Sequence, residues 1–226
     1  MRISILTLFP EMFKGPFDYS IIKKALIKNK VRIEFINIRD FGIGKHKVVD
    51  DRPYGGGHGM ILRVDVLEKA IFHAKDSKLR SDIQKVILLS PHGTTFNQKK
   101  ARELSNFKHL ILVCGHYEGI DERAKKFIDE ELSVGDFIVT GGEIPAMLVV
   151  DSIVRLISGV LKEGVTTTES FSPFLEYPQY TKPNTYKNLS VPPILLSGNH
   201  RKIKEWRDKA SMKTTLKLRP DLLREK

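Results

Sequence analysis

Cysteine is nearly absent from this 226-residue chain. Cys114 is the only one, so neither an internal disulfide framework nor a cysteine-based zinc site is available to it. It stands inside an apolar run, where a lone thiol most often serves as a small core residue. Long apolar runs are lacking too. None approaches the ~18 residues of a membrane span, and Ile3-Ser4-Ile5-Leu6 is too short for a signal peptide. A soluble, cytoplasmic protein with no membrane association is therefore expected. The common nucleotide fingerprints are missing as well: no Gly-x-Gly-x-x-Gly follows the first apolar run, and there is no P-loop lysine signature. Acidic residues are in deficit, 27 against 38 Lys and Arg, which leaves a formal charge of +11. That balance fits a polyanionic partner held through phosphate contacts, and it fits equally a chain with solvated, lysine-rich helix faces. At 41% hydrophobic residues the chain can bury an ordinary core, which excludes disorder by composition.

What is present is a repeated unit: an apolar run, a glycine-bearing turn, then a helical pattern. Val86-Ile87-Leu88-Leu89 runs into Ser90-Pro91-His92-Gly93, and Leu110-Ile111-Leu112-Val113-Cys114 into Gly115-His116-Tyr117-Glu118-Gly119. Phe137-Ile138-Val139 runs into Thr140-Gly141-Gly142-Glu143, with Pro145 opening the next helix. Short apolar runs bounded by glycine read as buried strands, and ligands of parallel sheets sit beyond the carboxyl ends of such strands. Three elbows side by side predict a pocket walled by backbone amides and carbonyls.

Other elements follow from spacing. Ile3 to Phe9 reads as a strand, and Asp18 as the cap of a helix carrying Ile21, Ile22, Ala25 and Leu26. Val31, Ile33 and Phe35 alternate as a half-buried strand. Val64 to Ala74 is an amphipathic helix, and Asn97 caps one carrying Ala101 and Leu104. After Arg123 a helix is expected, with Ala124, Phe127 and Ile128 on its core face and Asp129-Glu130-Glu131 solvated. The helix Pro145–Ile157 is apolar nearly all round, so it needs cover on several sides, for which the sheet and a second subunit are candidates. Between Arg39 and Met60 no period exists, and four glycines stand in Gly55-Gly56-Gly57-His58-Gly59. Such a loop is either a flexible connector or a backbone poised to approach a ligand; the flanking Asp50, Arg52 and Tyr54 favour binding. The expected fold class is α/β, a mostly parallel sheet with helices on both faces, plus a small all-helical C-terminal domain. The expected boundaries are 1–160 for the cofactor-binding and catalytic domain, 161–190 for a linker or lid, and 191–226 for a basic helical domain. In the last, Asn199 caps a helix with Ile203, Trp206 and Ala210 on one face. His58, His92 and His116 each sit in a glycine-rich turn, but their spacing matches no helical ligand pair, so no metal site is assigned.

Taken in order, Asp50-Asp51-Arg52-Pro53-Tyr54-Gly55-Gly56-Gly57, Leu89-Ser90-Pro91, Cys114 through Arg123, Gly135-Asp136, Gly141 through Met147 and Leu196-Ser197-Gly198-Asn199-His200 resemble bacterial tRNA (guanine-N1)-methyltransferases, members of the SPOUT class. The likeness covers nearly the whole chain. It implies a trefoil knot, a homodimer with its active site at the subunit interface, and S-adenosylmethionine as methyl donor, with magnesium as a further candidate cofactor. The implied substrate is tRNA, gripped at the anticodon stem-loop and methylated at N1 of the guanosine immediately 3′ of the anticodon. The implied cofactor contacts are Leu88, Leu89, Ser90, Pro91, Gly115, Tyr117, Glu118, Ser133, Val134, Gly135, Phe137, Val139, Gly141, Gly142 and Pro145. The implied substrate contacts are Asp50, Arg52, Tyr54, Gly55, Gly57, Gly59 and Asn199.

Guanine N1 bears a proton, so a base must expose its lone pair while charge builds on the exocyclic oxygen, where a fixed cation lowers the barrier. By resemblance Arg155 is that cation. A plain Asp151–Arg155 helix pair, contributing about 0.2–0.5 kcal/mol, is the alternative. The family's general base is an Asp before Ser-Phe, and here Glu169 precedes Ser170-Phe171. His58 and His92 stand where the family commonly has Pro and Gln. Two other functions remain open from the sequence: an RNA-binding module that keeps the fold without catalysis, and a SPOUT enzyme acting on ribosomal RNA.

Overall fold

The structure, a computed structural model, describes residues 1–223; residues 224–226 of the expected C-terminal domain lie outside the described residues. The chain divides into two compact units, Met1–Leu161 and Lys162–Lys226.

The first unit is built on five parallel strands. In chain order its strands are β1 (Arg2–Thr7), β2 (Arg32–Asn37), the short pair β3 (Asp50–Asp51) and β4 (Ile61–Leu62), β5 (Gln84–Thr95), β6 (His109–Cys114) and β7 (Glu130–Ser133). Its helices are α1 (Ser20–Ile27), α2 (Val64–Ala74), α3 (Gln98–Leu104) and α4 (Glu143–Val154). The sheet order is β2-β1-β6-β5-β7, with β3 and β4 forming a separate antiparallel pair. Alternation along the strands divides the core between the two faces. Ile3, Ile5, Ile87, Leu89, Leu110 and Leu112 meet Ala25 of α1 and Val149, Val150 and Ile153 of α4 on one side. Leu6, Val86, Leu88, Ile111 and Val113 meet Val66, Leu67, Ala70 and Ile71 of α2 on the other.

Three expectations are corrected. Asp18 does not cap α1; it accepts a hydrogen bond from Gly15 N–H (2.9 Å), and Tyr19 precedes the helix without a side-chain cap. The run Asp129-Glu130-Glu131 is not a solvated helix face. The segment before it is a 3-10 helix, Glu122–Phe127, and the run enters β7. There Asp129 accepts from Val86 N–H (2.7 Å), while Glu130 pairs with Lys85 (2.9 Å) and Lys100 (2.8 Å). Backbone pairing with β5 and the two lysine bonds of Glu130 outweigh the polarity of the run. Phe137-Ile138-Val139 is not a strand either: Phe137 is 58% and Ile138 82% exposed. The third strand is β7, whose two glutamates hide it from a search for apolar runs. The helix expected over Pro145–Ile157 runs Glu143–Val154.

The second unit contains α5 (Val165–Thr168), the hairpin β8 (Thr185–Tyr186) and β9 (Leu189–Ser190), α6 (Pro193–Leu196) and α7 (His200–Leu218). Asn199 caps α7 by accepting from Lys202 N–H (3.1 Å). The irregular segment is tied to this helix: Leu175 N–H donates to Thr215 Oγ1 (3.0 Å), and Ser211 Oγ donates to the Leu175 carbonyl (2.6 Å). Tyr177 lies under the Arg207 guanidinium at 4.7 Å. No described helix is long and apolar enough to cross a membrane.

One buried polar cluster joins three strands of the sheet. Gln84 Oε1 accepts from Asp76 N–H (2.8 Å), so His109 Nδ1–H must be the donor in its 2.8 Å contact with the same oxygen. Nε2 is then left to accept from the Ser4 hydroxyl (2.9 Å). Burial, and after it the positive charge of Arg2, lowers the His109 pKa to about 4. Between the unfolded value near 6.5 and the folded value near 4 the unfolded chain binds the extra proton. Stability is therefore full above the former and lost as pH falls toward the latter, by up to about 3 kcal/mol. Urea unfolding at pH 7.0 and 4.5 should show this loss, and His109→Gln should have a smaller pH dependence than the parent. Equal pH dependence in both proteins would contradict the assignment.

Candidate active site

Three elbows, one interrupting β5 and two at the carboxyl ends of β6 and β7, enclose a cavity of about 340 Å³, within the range of small-molecule sites. The first elbow is a detour in β5. Leu89 pairs with Leu132, the chain swings out through Ser90–Gly93, and Thr94 pairs with Leu132 again. Gly93 packs so tightly on the Glu131–Leu132 peptide that a Cβ would overlap it. The second elbow, Gly115–Gly119, holds Tyr117 at a positive φ of 60°, uncommon for a residue with a side chain. The third runs from Ser133, whose Oγ donates to the Gly135 carbonyl (3.2 Å), to the start of α4. Second and third are joined by Gly142 N–H donating to the Gly115 carbonyl (2.8 Å). A Cβ on Gly142 would stand 2.6 Å from Cys114 Cα.

The cavity brings together every residue of the expected cofactor set, from Leu88, Leu89, Ser90 and Pro91 through Gly115, Tyr117 and Glu118 to Ser133, Val134, Gly135, Phe137, Val139, Gly141, Gly142 and Pro145. It also includes residues outside the expected contact set: His92, His116 and Glu122, which stood in the quoted turns and motifs, and Lys125, Glu131 and Leu132. Glu131 and Leu132 reach the cavity through β7, a strand without an apolar run to mark it. Lys125, in a 3-10 turn, had no periodic signal at all. Its ammonium bonds Glu131 (3.0 Å) and Glu122 (3.1 Å), and these carboxylates raise its pKa. Beneath the third elbow Glu143 is 2% exposed and accepts from Thr7 Oγ1 (2.7 Å). The buried Cys114 thiol is pushed well up by burial and by Glu143, so it stays protonated. Nδ1 of His116 and Oε2 of Glu131 are buried without a hydrogen-bond partner among the described residues.

The loop expected to hold the substrate base hangs from β3 and β4. Arg63 clamps its neck with a forked pair to Asp65 (3.1 and 3.0 Å) and a bond to Asp51 (3.2 Å), holding the Asp65 carboxyl below the usual carboxylate range. Three backbone bonds tie this neck to the second elbow: Glu118 N–H to Met60 O (3.0 Å), Leu62 N–H to Gly119 O (3.0 Å) and Asp121 N–H to Leu62 O (2.9 Å). Gly55, Gly56, Gly57 and Gly59 all have φ between 78° and 129°, a region that side chains rarely adopt, which accounts for their composition. Asp50 is half-buried at the neck, while Arg52 and Tyr54 are exposed, Tyr54 at 99%. Arg155 ends α4, half-buried. Glu169 and Asn199 belong to the second unit, the former half-buried at the end of α5. Among the described residues no group of three His, Cys, Asp or Glu side chains is placed to hold a metal ion.

A parallel α/β sheet whose strand-end elbows enclose a ligand-sized cavity beside a clamped glycine loop defines an α/β enzyme with a small-molecule site. The family model described as tRNA (Guanine-1)-methyltransferase TrmD matches residues 1–225, and the chain belongs to this family of transferases, which is of the SPOUT class. Curated relatives carry the name tRNA (guanine-N(1)-)-methyltransferase. That of Dictyoglomus turgidum is 54% identical over 225 residues, 99% of this chain and 90% of its own length. Those of Carboxydothermus hydrogenoformans and Metamycoplasma arthritidis are each 53% identical, over 227 and 225 residues. Each match covers 99% of this chain, with 88% and 96% of the relative.

Gly142→Ala is expected to force the third elbow off Cys114 and to cost about 1–3 kcal/mol. A thermal melt with a lowered midpoint, together with weakened ligand binding in the cavity, checks this; an unchanged midpoint contradicts it.

Proposed function

We propose that this protein transfers a methyl group from S-adenosylmethionine to N1 of the guanosine immediately 3′ of the anticodon in tRNA. The observation that carries this is that one cavity gathers the whole expected cofactor set in a chain matched end to end by the family. The residues present fit the donor. Apolar walls from Leu89, Val134, Phe137, Val139 and Pro145 suit a flat base, glycine backbone supplies close amides and carbonyls, and the volume is adequate. S-adenosylmethionine, when bound, supplies an electrophilic methyl on a sulfonium.

The chain's own groups do the rest. The Arg52–Gly59 loop, with Asp50 at its base, positions the guanine. Glu169 takes the proton from N1, and the Arg155 guanidinium stabilises the charge that builds on the exocyclic oxygen. The basic residues of α7 and the Asn199 turn hold the anticodon stem by phosphate contacts. Residues 1–160 act as the catalytic domain, 161–190 as the lid and 191–226 as the tRNA-binding domain, in the cytoplasm where tRNA is matured. The family likeness extends to a knotted path around the cavity. Glu169→Gln should lower kcat about 10²–10⁴-fold with little change in the Kd for S-adenosylmethionine. Methyl transfer at the parent rate would remove Glu169 as the base. A labelled-methyl assay on tRNA transcripts carrying guanosine or adenosine at the target position, with ribosomal RNA alongside, tests the substrate. Magnesium belongs to the same proposal, and full activity in excess chelator would remove it.

The active form is a homodimer with the site at the subunit interface. What supports this is an apolar strip beside the cavity. Ile144 (54% exposed) and Leu148 (45%) lie one turn apart on α4, and Phe137 and Ile138 at the cavity are exposed as well. Leu148→Asp should shift the mass in solution from dimer to monomer in sedimentation and abolish transfer. A parent protein that sediments as an active monomer contradicts the dimer.

A further inference from the structure

The cavity has an unusual charge inventory for so basic a chain. Of its lining residues only Lys125 is a lysine or arginine, whereas Glu118, Glu122 and Glu131 are acids. Lys125 is fixed in place by two of those acids, Glu131 at 3.0 Å and Glu122 at 3.1 Å. An ammonium has three N–H donors, so two are used and one is uncommitted among the described residues. The side chain is 31% exposed, and Lys125 is among the residues that line the cavity. The methyl donor, for its part, has two cationic centres and a single anion, the carboxylate of its amino-acid tail. Glu131 is half-buried while Glu118 and Glu122 are exposed, so a carboxylate placed among these acids is repelled unless a cation meets it.

We infer that Lys125 binds the tail carboxylate of S-adenosylmethionine through its third N–H, with Glu122 and Glu131 holding the ammonium in position. This rests on the cofactor assignment above and adds to it a residue that recognises one end of the ligand. Lys125 touches no reacting atom. Its part is to anchor the tail, so that the sulfonium end is held against the elbows while the base approaches.

The test is calorimetry on the full-length protein with S-adenosylhomocysteine, which keeps the tail, and 5′-methylthioadenosine, which lacks it. A hydrogen bond between charged groups corresponds to about tenfold or more in affinity. Lys125→Met should raise the Kd for S-adenosylhomocysteine by about that factor and leave the Kd for 5′-methylthioadenosine within about twofold. Lys125→Arg, which keeps a donor cation, should restore most of the lost affinity. Unchanged binding of S-adenosylhomocysteine by Lys125→Met overturns the inference. So does equal weakening of both ligands, which marks general damage to the cavity. If the parent protein binds neither ligand, the cofactor assignment fails as well; if it binds both and only the tail dependence is missing, the Lys125 role alone fails.

Discussion

The site depends on how closely two stretches of backbone approach each other at Gly142. Its N–H bonds the Gly115 carbonyl at 2.8 Å, and its missing side chain lets the start of α4 rest on Cys114. This contact fixes the second and third elbows relative to each other. It also sets Pro145 and the buried Glu143 at the head of the helix, where Thr7 satisfies the carboxylate at 2.7 Å. A parallel sheet buried on both faces tolerates such an arrangement because its strands are already held in register by neighbours. The cavity is thus a consequence of backbone packing at strand ends, and side chains only finish its walls.

Much of this was legible from residue order, for physical reasons. Val64–Ala74 forms the helix that its period of apolar residues demanded, and Asn97 and Asn199 cap helices as their amide oxygens allow. The two apolar strands that feed the first two elbows are β5 and β6. What failed did so where tertiary contacts overrode local composition. Glu130 and Glu131 make β7 look like a helix face until Lys85, Lys100 and Lys125 are seen to neutralise them. Phe137-Ile138-Val139 looks like a strand because cavity walls and apolar surface strips draw on the same residue types as a sheet. Alternation cannot separate those uses.

Charge in the first unit differs between the cavity rim and the outer surface. The excess of lysine and arginine lies mostly on the exposed surface, available to a polyanion, while the cavity is lined by three glutamates and one lysine. That contrast distinguishes the rim of the cavity from the basic outer surface of the same unit.

The two outermost strands also bear on how copies of the chain can meet. At one border β7 is short and begins with two lysine-paired glutamates. At the other, β2 starts with Arg32 and places Glu34 against Arg2 at 2.8 Å. Brief or charged borders of this kind discourage a sheet from recruiting a neighbour's backbone. Self-association by strand addition is thus disfavoured at both rims, which leaves helical and loop surfaces as the routes by which protomers can join without growing into filaments.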